Sequence, residues 1–136
     1  MPYEMHWESN TGLRKRFYGL LTIEDVMKSS IELHRDHRFD TLKFSINDFS
    51  EVSAFTLDVD KSALDDLVAA SIGASLSKPK FHIAIVTTDA RLSELAHKYM
   101  AAPGSSWTVE VFRTLEAARR WVSEATTSGW APLGKY

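Results

Sequence analysis

Two hydrophobic periods take turns along this chain, and that alternation limits its fold more than any other feature. Tyr3, Met5 and Trp7 alternate with Glu4, His6 and Glu8. Phe17 and Gly19 are opposed to Arg14, Arg16 and Tyr18. Period two on both sides of a Ser-Asn-Thr-Gly turn predicts an antiparallel hairpin. Pairing Glu8 with Arg14 and Met5 with Phe17 keeps like faces together and sets opposite charges across the ladder. The period then lengthens. Thr22 is a good N-cap, Glu24 and Asp25 suit the positive end of a helix, and Ile23, Val26, Met27, Ile31 and His34 follow helical spacing. Leu42, Phe44 and Ile46 return to period two, and a polar loop should follow that strand. Asp60 can cap a helix carrying Leu64, Leu67, Val68, Ile72 and Leu76, stopped before Pro79. Phe81 to Val86 is apolar on both faces apart from His82, which suits a central strand. Asp89 starts a helix with Leu92, Leu95, Ala96 and Tyr99, ended by Pro103-Gly104. Trp107, Val109 and Val111 make the last strand, and Thr114 caps a helix with Leu115, Ala118, Val122 and Ala125 on one stripe.

The order is ββαβαβαβα. It predicts an α/β fold with a five-stranded mixed sheet, an antiparallel N-terminal hairpin followed by parallel βα units. Residues 1–125 read as one domain and 126–136 as an irregular tail. Several strands carry a polar set: Glu4, His6 and Glu8; Arg14 and Arg16; Lys43, Ser45 and Asn47; Thr108 and Glu110. A sheet covered on both sides should not look like this, so the helices are expected mainly on one face. The 136 residues suffice for a buried core, and 16 basic residues against 18 acidic ones leave a net charge of -2. That balance argues against nucleic acid, which needs a concentrated basic surface. The chain has no cysteine, so thiol chemistry and thiolate metal sites are excluded. No apolar run reaches the roughly 20 residues of a membrane span, and the start of the sequence has no apolar leader, so a cytoplasmic protein is expected.

The same order, with particular motifs, resembles the STAS and SpoIIAA-like family, whose fold is a superhelix of βα units related to the lipid-carrying CRAL-TRIO domains. The resemblance runs over about residues 12 to 125. Its carriers are Gly19-Leu20-Leu21-Thr22-Ile23-Glu24-Asp25, Phe39-Asp40, Ile46-Asn47-Asp48-Phe49-Ser50, Ala84-Ile85-Val86-Thr87-Thr88-Asp89 and the stretch from Val111 to Trp121. It implies a non-enzymatic regulatory module of bacterial type that binds a protein partner, with no cofactor. In anti-sigma-factor antagonists of that family a serine after the third strand is phosphorylated, within a pattern close to Asp-Ser-Ser-Gly. Here Asp48-Phe49-Ser50-Glu51-Val52-Ser53 keeps the aspartate and makes Ser50 the phosphorylation candidate, while Phe49 and Glu51 depart from the pattern.

Individual residues suggest further sites, each with an ordinary alternative. His34, Asp36, His37 and Asp40 are the densest set of possible metal ligands, with His34, His37 and Asp40 the candidates for one ion. The alternative is a basic helix end complementing the helix dipole, with His34 packed in the core. Asp48 and Asp89 fall at the carboxyl ends of neighbouring strands, the edge where open α/β sheets place ligands, and either could instead cap a turn or helix. His82 suits a hydrogen-bonded histidine within a strand. Ser50, Ser53, Ser71 and Ser75 lack the surroundings of a nucleophile, and Gly73 and Gly104 are isolated, so neither serine catalysis nor a phosphate cradle is expected. Arg119 and Arg120 beside Trp121 read as a solvated helix face.

Two functions remain open from these residues. One is a protein-interaction module working through Asp48, Phe49, Ser50, Ser53, Phe55 and Asp89. The other is a carrier or sensor of a small apolar ligand held near Phe49, Val52, Phe55 and Leu57. Self-association through the hairpin edge is a further expectation, since an uncovered strand invites pairing.

Overall fold

A computed structural model describes residues 2–56, 65, 69, 81–97 and 107–126. Its elements are β1 (Tyr3–Trp7), β2 (Gly12–Leu21), α1 (Ile23–Arg35), a 3₁₀ helix (His37–Thr41), β3 (Phe44–Phe55), β4 (His82–Val86), α2 (Ala90–Leu95), β5 (Thr108–Phe112) and α3 (Leu115–Thr126). The helix expected from Asp60 to Leu76 lies outside the described residues except for Asp65 and Ala69, both helical. Tyr99, Pro103-Gly104 and residues 127–136 also lie outside them.

The strands form one five-stranded sheet in the order β1-β2-β3-β4-β5. β1 runs antiparallel to β2, and each later neighbour is parallel. β3 holds the centre, one place from the expected β4. The apolar run in β4 is nonetheless covered on both sides, with Ala84 and Ile85 at 0% exposure. The hairpin closes two residues tighter than the charge pattern predicts: Met5 faces Lys15, His6 faces Arg14 and Trp7 faces Leu13. A shift of two keeps every side chain on its expected face, so the hydrophobic pattern cannot separate these registers. Leu13, on the core face in either register, is at 0% exposure. The neighbouring β2–β3 pairing sets Gly12 opposite Phe44, where a Cβ would lie 2.2 Å from the ring carbon Cζ.

Thr22 and Asp25 form a reciprocal capping box at the start of α1. The buried stripe of α1 is Ile23, Val26, Ser29 and Leu33, and Ile31 is 46% exposed. With Leu33 on the inside, Ile31 turns away from the sheet. Leu13, Phe17, Phe49, Ile83 and Ile85 on the sheet join Ile23, Val26 and Leu33 of α1, Leu92 of α2, Phe39 and Trp107 in one core. On the other face Ile46, Ala84 and Val86 pack against Ala118 and Val122 of α3, with Trp121 and Phe112 beside them.

Two described helices therefore cover one face and α3 covers part of the other. The β1–β2 half of that second face keeps its polar residues: Glu4 and His6 are exposed, with Arg14, Arg16 and Tyr18 partly so. Lys43 and Glu110 are exposed too. Ser45 and Asn47, expected with this open set, are buried instead. They pair in register with Leu13 and Lys15, so they lie beneath α1. The Ser45 hydroxyl, 2.8 Å from Asn47 Oδ1, supplies the partner that a buried amide needs.

Candidate functional site

The expected loop after the third strand is strand. β3 continues to Phe55 because β2 pairs with it as far as Leu21. That pairing slips twice, and both slips leave a serine over. Arg16 faces Asp48 while Tyr18 faces Glu51, so Phe49 and Ser50 stand against Phe17 alone. Gly19 faces Val52 while Leu20 faces Ala54, which leaves Ser53 unmatched. These are β-bulges, which re-aim side chains and bend the strand. Gly19, at the second, has φ 69, a conformation that costs glycine little.

The first bulge folds Ser50 back onto Asp48. The Asp48 carboxylate, only 2% exposed, accepts from Ser50 N at 3.0 Å and from Ser50 Oγ at 2.6 Å, both on Oδ1. Arg14 Nη2 donates to Oδ2 at 2.9 Å. Burial pushes the Asp48 carboxyl up, but the two bonds from Ser50 and the Arg14 guanidinium outweigh it and leave it below its ordinary value. Phe49 points the other way and stacks on Phe17, with ring centroids 4.5 Å apart.

Asp89 caps α2, accepting from Arg91 N at 2.8 Å and Leu92 N at 3.3 Å, while its own N–H donates to Thr87 Oγ1 at 3.1 Å. Those bonds, the Arg91 amide first, hold it below the usual carboxylate range. Between the far end of β3 and the start of α2 lies a small cleft of about 110 Å³. Phe49, Ser50, Ser53, Phe55, Thr87 and Asp89 are among its lining residues. The structure thus gathers five of the expected site residues around one cleft, with Asp48 held just behind Ser50.

The metal candidates are not gathered. His34 packs against Phe39 and Trp107, with centroids 4.9 and 6.1 Å away. Burial, with help from the Lys15 charge, lowers its pKa. His37 is exposed, with Nδ1 3.7 Å from Asp36, and Asp40 is exposed in the same 3₁₀ helix. Asp36 itself caps that helix and binds Arg38 at 2.7 Å, which holds its pKa at about 2. Among the described residues no three His, Asp or Glu side chains could share an ion. His82 sits edge-on to Trp121, and burial lowers its pKa. Arg119 and Arg120 are both exposed, as expected of a solvated helix face, Arg119 as a two-pronged partner of Glu8 at 2.6 Å and Arg120 reaching Glu116. Ser71, Ser75, Gly73, Gly104 and Leu57 lie outside the described residues.

Sequence reasoning missed Lys15 and the Arg14–Asp48 pair. Lys15 is buried beneath α1, its Nζ 3.3 Å from Ser29 Oγ, and burial lowers its pKa to about 7 against a smaller opposing effect of Glu32. Its signal was available: Lys15 falls between Leu13 and Phe17 on the apolar period of β2. The Arg14–Asp48 pair had no such signal, because it joins positions 34 apart in sequence.

No protein-family model matches the sequence, and no curated protein matches it either. Solved structures do. An uncharacterised protein of Shewanella loihica, described as having a SpoIIAA-like fold, is 18% identical, with a TM-score of 0.52 over 88% of this chain and 90% of that one. The chain has the SpoIIAA-like fold. The anti-sigma factor antagonist SpoIIAA in its unphosphorylated form is 12% identical, with a TM-score of 0.57 over 89% of this chain and 97% of that chain. The Bacillus cell fate determinant SpoIIAA in its phosphorylated form is also 12% identical, with a TM-score of 0.54 and coverage of 88% and 98%. Because β2 to β5 run parallel, the carboxyl ends of β3 and β4, and with them the cleft between β3 and α2, lie on one edge of the sheet. Among the described residues no helix is long and apolar enough to cross a membrane.

Proposed function

We propose that this chain is a non-catalytic regulatory module that binds a protein partner at the cleft between the far end of β3 and α2. The observation that carries this reading is the pair of bulges that turn Ser50 and Ser53 out of the ladder at the cleft rim. Two of the structural neighbours are SpoIIAA captured without and with phosphate, and Ser50 is the residue here on which such a charge would act. A phosphate on Ser50 would replace a hydroxyl that binds Asp48 with a dianion facing Asp48 and Glu51. That repulsion would loosen the bulge and change the shape of the rim.

The two carboxylates near the cleft support a binding role over acid–base chemistry. Asp48 is occupied by Arg14 and Ser50, and Asp89 by the helix amides. Both are held below their ordinary pKa, away from the neutral range where a general base or acid works best. The alternative, a carrier of a small apolar ligand, is less well supported. The cleft of about 110 Å³ is well under the roughly 300 Å³ at which small-molecule sites begin. Native mass spectrometry of the purified chain separates the two. A bare protein mass is expected, and a retained acyl-sized molecule would overturn the module in favour of the carrier.

A further inference from the structure

We propose that β1 is the contact edge of a symmetric homodimer, in which two copies join their sheets antiparallel with Met5 on the twofold axis. Hydrogen bonds at the two ends of the hairpin fix which backbone groups are free to do this. Tyr18 N donates to Pro2 O at 3.0 Å, and Glu8 N donates to Gly12 O at 2.9 Å. Antiparallel ladders alternate, so Pro2, Glu4, His6 and Glu8 turn their N–H and C=O groups toward β2. Tyr3, Met5 and Trp7 turn theirs outward, along the first edge of the sheet. The strand Tyr-Glu-Met-His-Trp contains no proline and no lysine, two of the devices that blunt an exposed edge.

What selects a second copy as the occupant is self-complementarity. With Met5 on the axis, Tyr3 lies opposite Trp7 of the second copy and Glu4 lies opposite His6. The outward groups of residues 3, 5 and 7 then meet those of residues 7, 5 and 3 in the hydrogen-bonded positions. Glu4 and His6 meet in the intervening positions, where facing Cα atoms approach to about 4.5 Å and side chains lie closest. Both side chains are available, with 47% and 49% of their areas exposed. Within one copy Glu4 holds Arg16 at 2.8 Å and His6 at 3.3 Å, so a carboxylate already serving this imidazole would serve its symmetry mate. Symmetry makes the contact twice. On the other face Met5 and Trp7 are partly exposed beside the core, and the joined edges would cover them.

The opposite edge fails the same operation. An antiparallel pair centred on Glu110, the middle of β5, sets two carboxylates face to face. The β1 contact is short, since five residues span about 17 Å, which places the dimer at the weak end of specific interfaces.

Sedimentation of the full chain from ~1 μM to ~1 mM tests this, a range suited to a small interface. The expected result is a reversible shift from the 15.3 kDa protomer to twice that mass. His6→Glu sets glutamate against Glu4 twice and should weaken association about tenfold or more. It leaves the fold intact, because position 6 is exposed and faces Arg14. The exchange Glu4→His with His6→Glu restores opposite partners only if residue 4 meets residue 6, so it should recover association, while Arg16 keeps Glu51. Met5→Pro, which removes the outward N–H on the axis, should also give a monomer. A chain that stays monomeric throughout, a dimer indifferent to His6→Glu, or an exchange that fails to restore it would overturn the proposal.

Discussion

Lys15→Met is expected to raise stability by about 1–4 kcal/mol at pH 7, the range seen when buried charged groups give way to apolar ones of similar volume. Lys15 is 3% exposed, and its ammonium donates to Ser29 Oγ at 3.3 Å, with electrostatic effects between it and Glu32 and His34. Burial lowers its pKa to about 7, while the unfolded chain keeps a lysine near its ordinary value. Between those two values the unfolded state holds a proton that the folded state has released. Stability therefore rises with pH across that window, by roughly 2 kcal/mol from pH 7 to pH 9. Below pH 7 both states are protonated and the full cost of the buried ammonium is present. Urea unfolding of the two proteins at a series of pH values reads this directly. The advantage of the methionine variant should shrink as pH rises, and a constant advantage would mean that Lys15 keeps its proton inside the fold across that window, with no lowering of its pKa.

Asp48→Asn is expected to act in the opposite direction, costing about 3–5 kcal/mol, as loss of one partner of a buried ion pair does. It leaves the Arg14 guanidinium without its carboxylate, and Arg14 Nε is already buried with no hydrogen-bond partner among the described residues. It also removes the acceptor that holds both Ser50 groups in the bulge. The depressed pKa of Asp48 sets the sign with pH. A carboxyl more acidic in the folded state contributes stability at neutral pH, and that contribution is lost as pH falls through its folded value. Chemical unfolding should show a large deficit at pH 7 that narrows toward pH 3. The double replacement Arg14→Met with Asp48→Leu should recover most of the loss, because two paired charges then leave together. An undiminished deficit in acid would mean that Asp48 does not carry its charge through Arg14.

Local chemistry was legible in the sequence. Thr22, Asp89 and Thr114 cap helices from side-chain oxygens a few residues from the amides they serve, so type and spacing are sufficient. The order of the described elements along the chain and the apolar faces of β4 and α3 follow from periodicity for the same reason. What needed coordinates was set by residues distant in sequence. β3 extends through Ser50–Phe55 because β2 supplies ladder partners, while its two bulges erase the period-two pattern that would have announced a strand. Asn47 looks like a surface residue until α1 closes over the sheet. The hairpin register is ambiguous by two residues in the hydrophobic pattern, and only the backbone pairing of β1 with β2 separates the two choices. The candidate site divides in the same way. Its residue types were visible, whereas their convergence on one cleft depended on where β3 ends.

Site-specific photo-cross-linking in cells making the full chain tests the central claim most directly. A photoreactive residue at Ser53, on the bulged rim, is compared with one at Glu116, exposed on α3. The working surface described here predicts a discrete protein adduct from position 53 that is absent from position 116 and lost on adding Ser50→Glu. Equal adducts from both positions, or an adduct from position 116 alone, would contradict it.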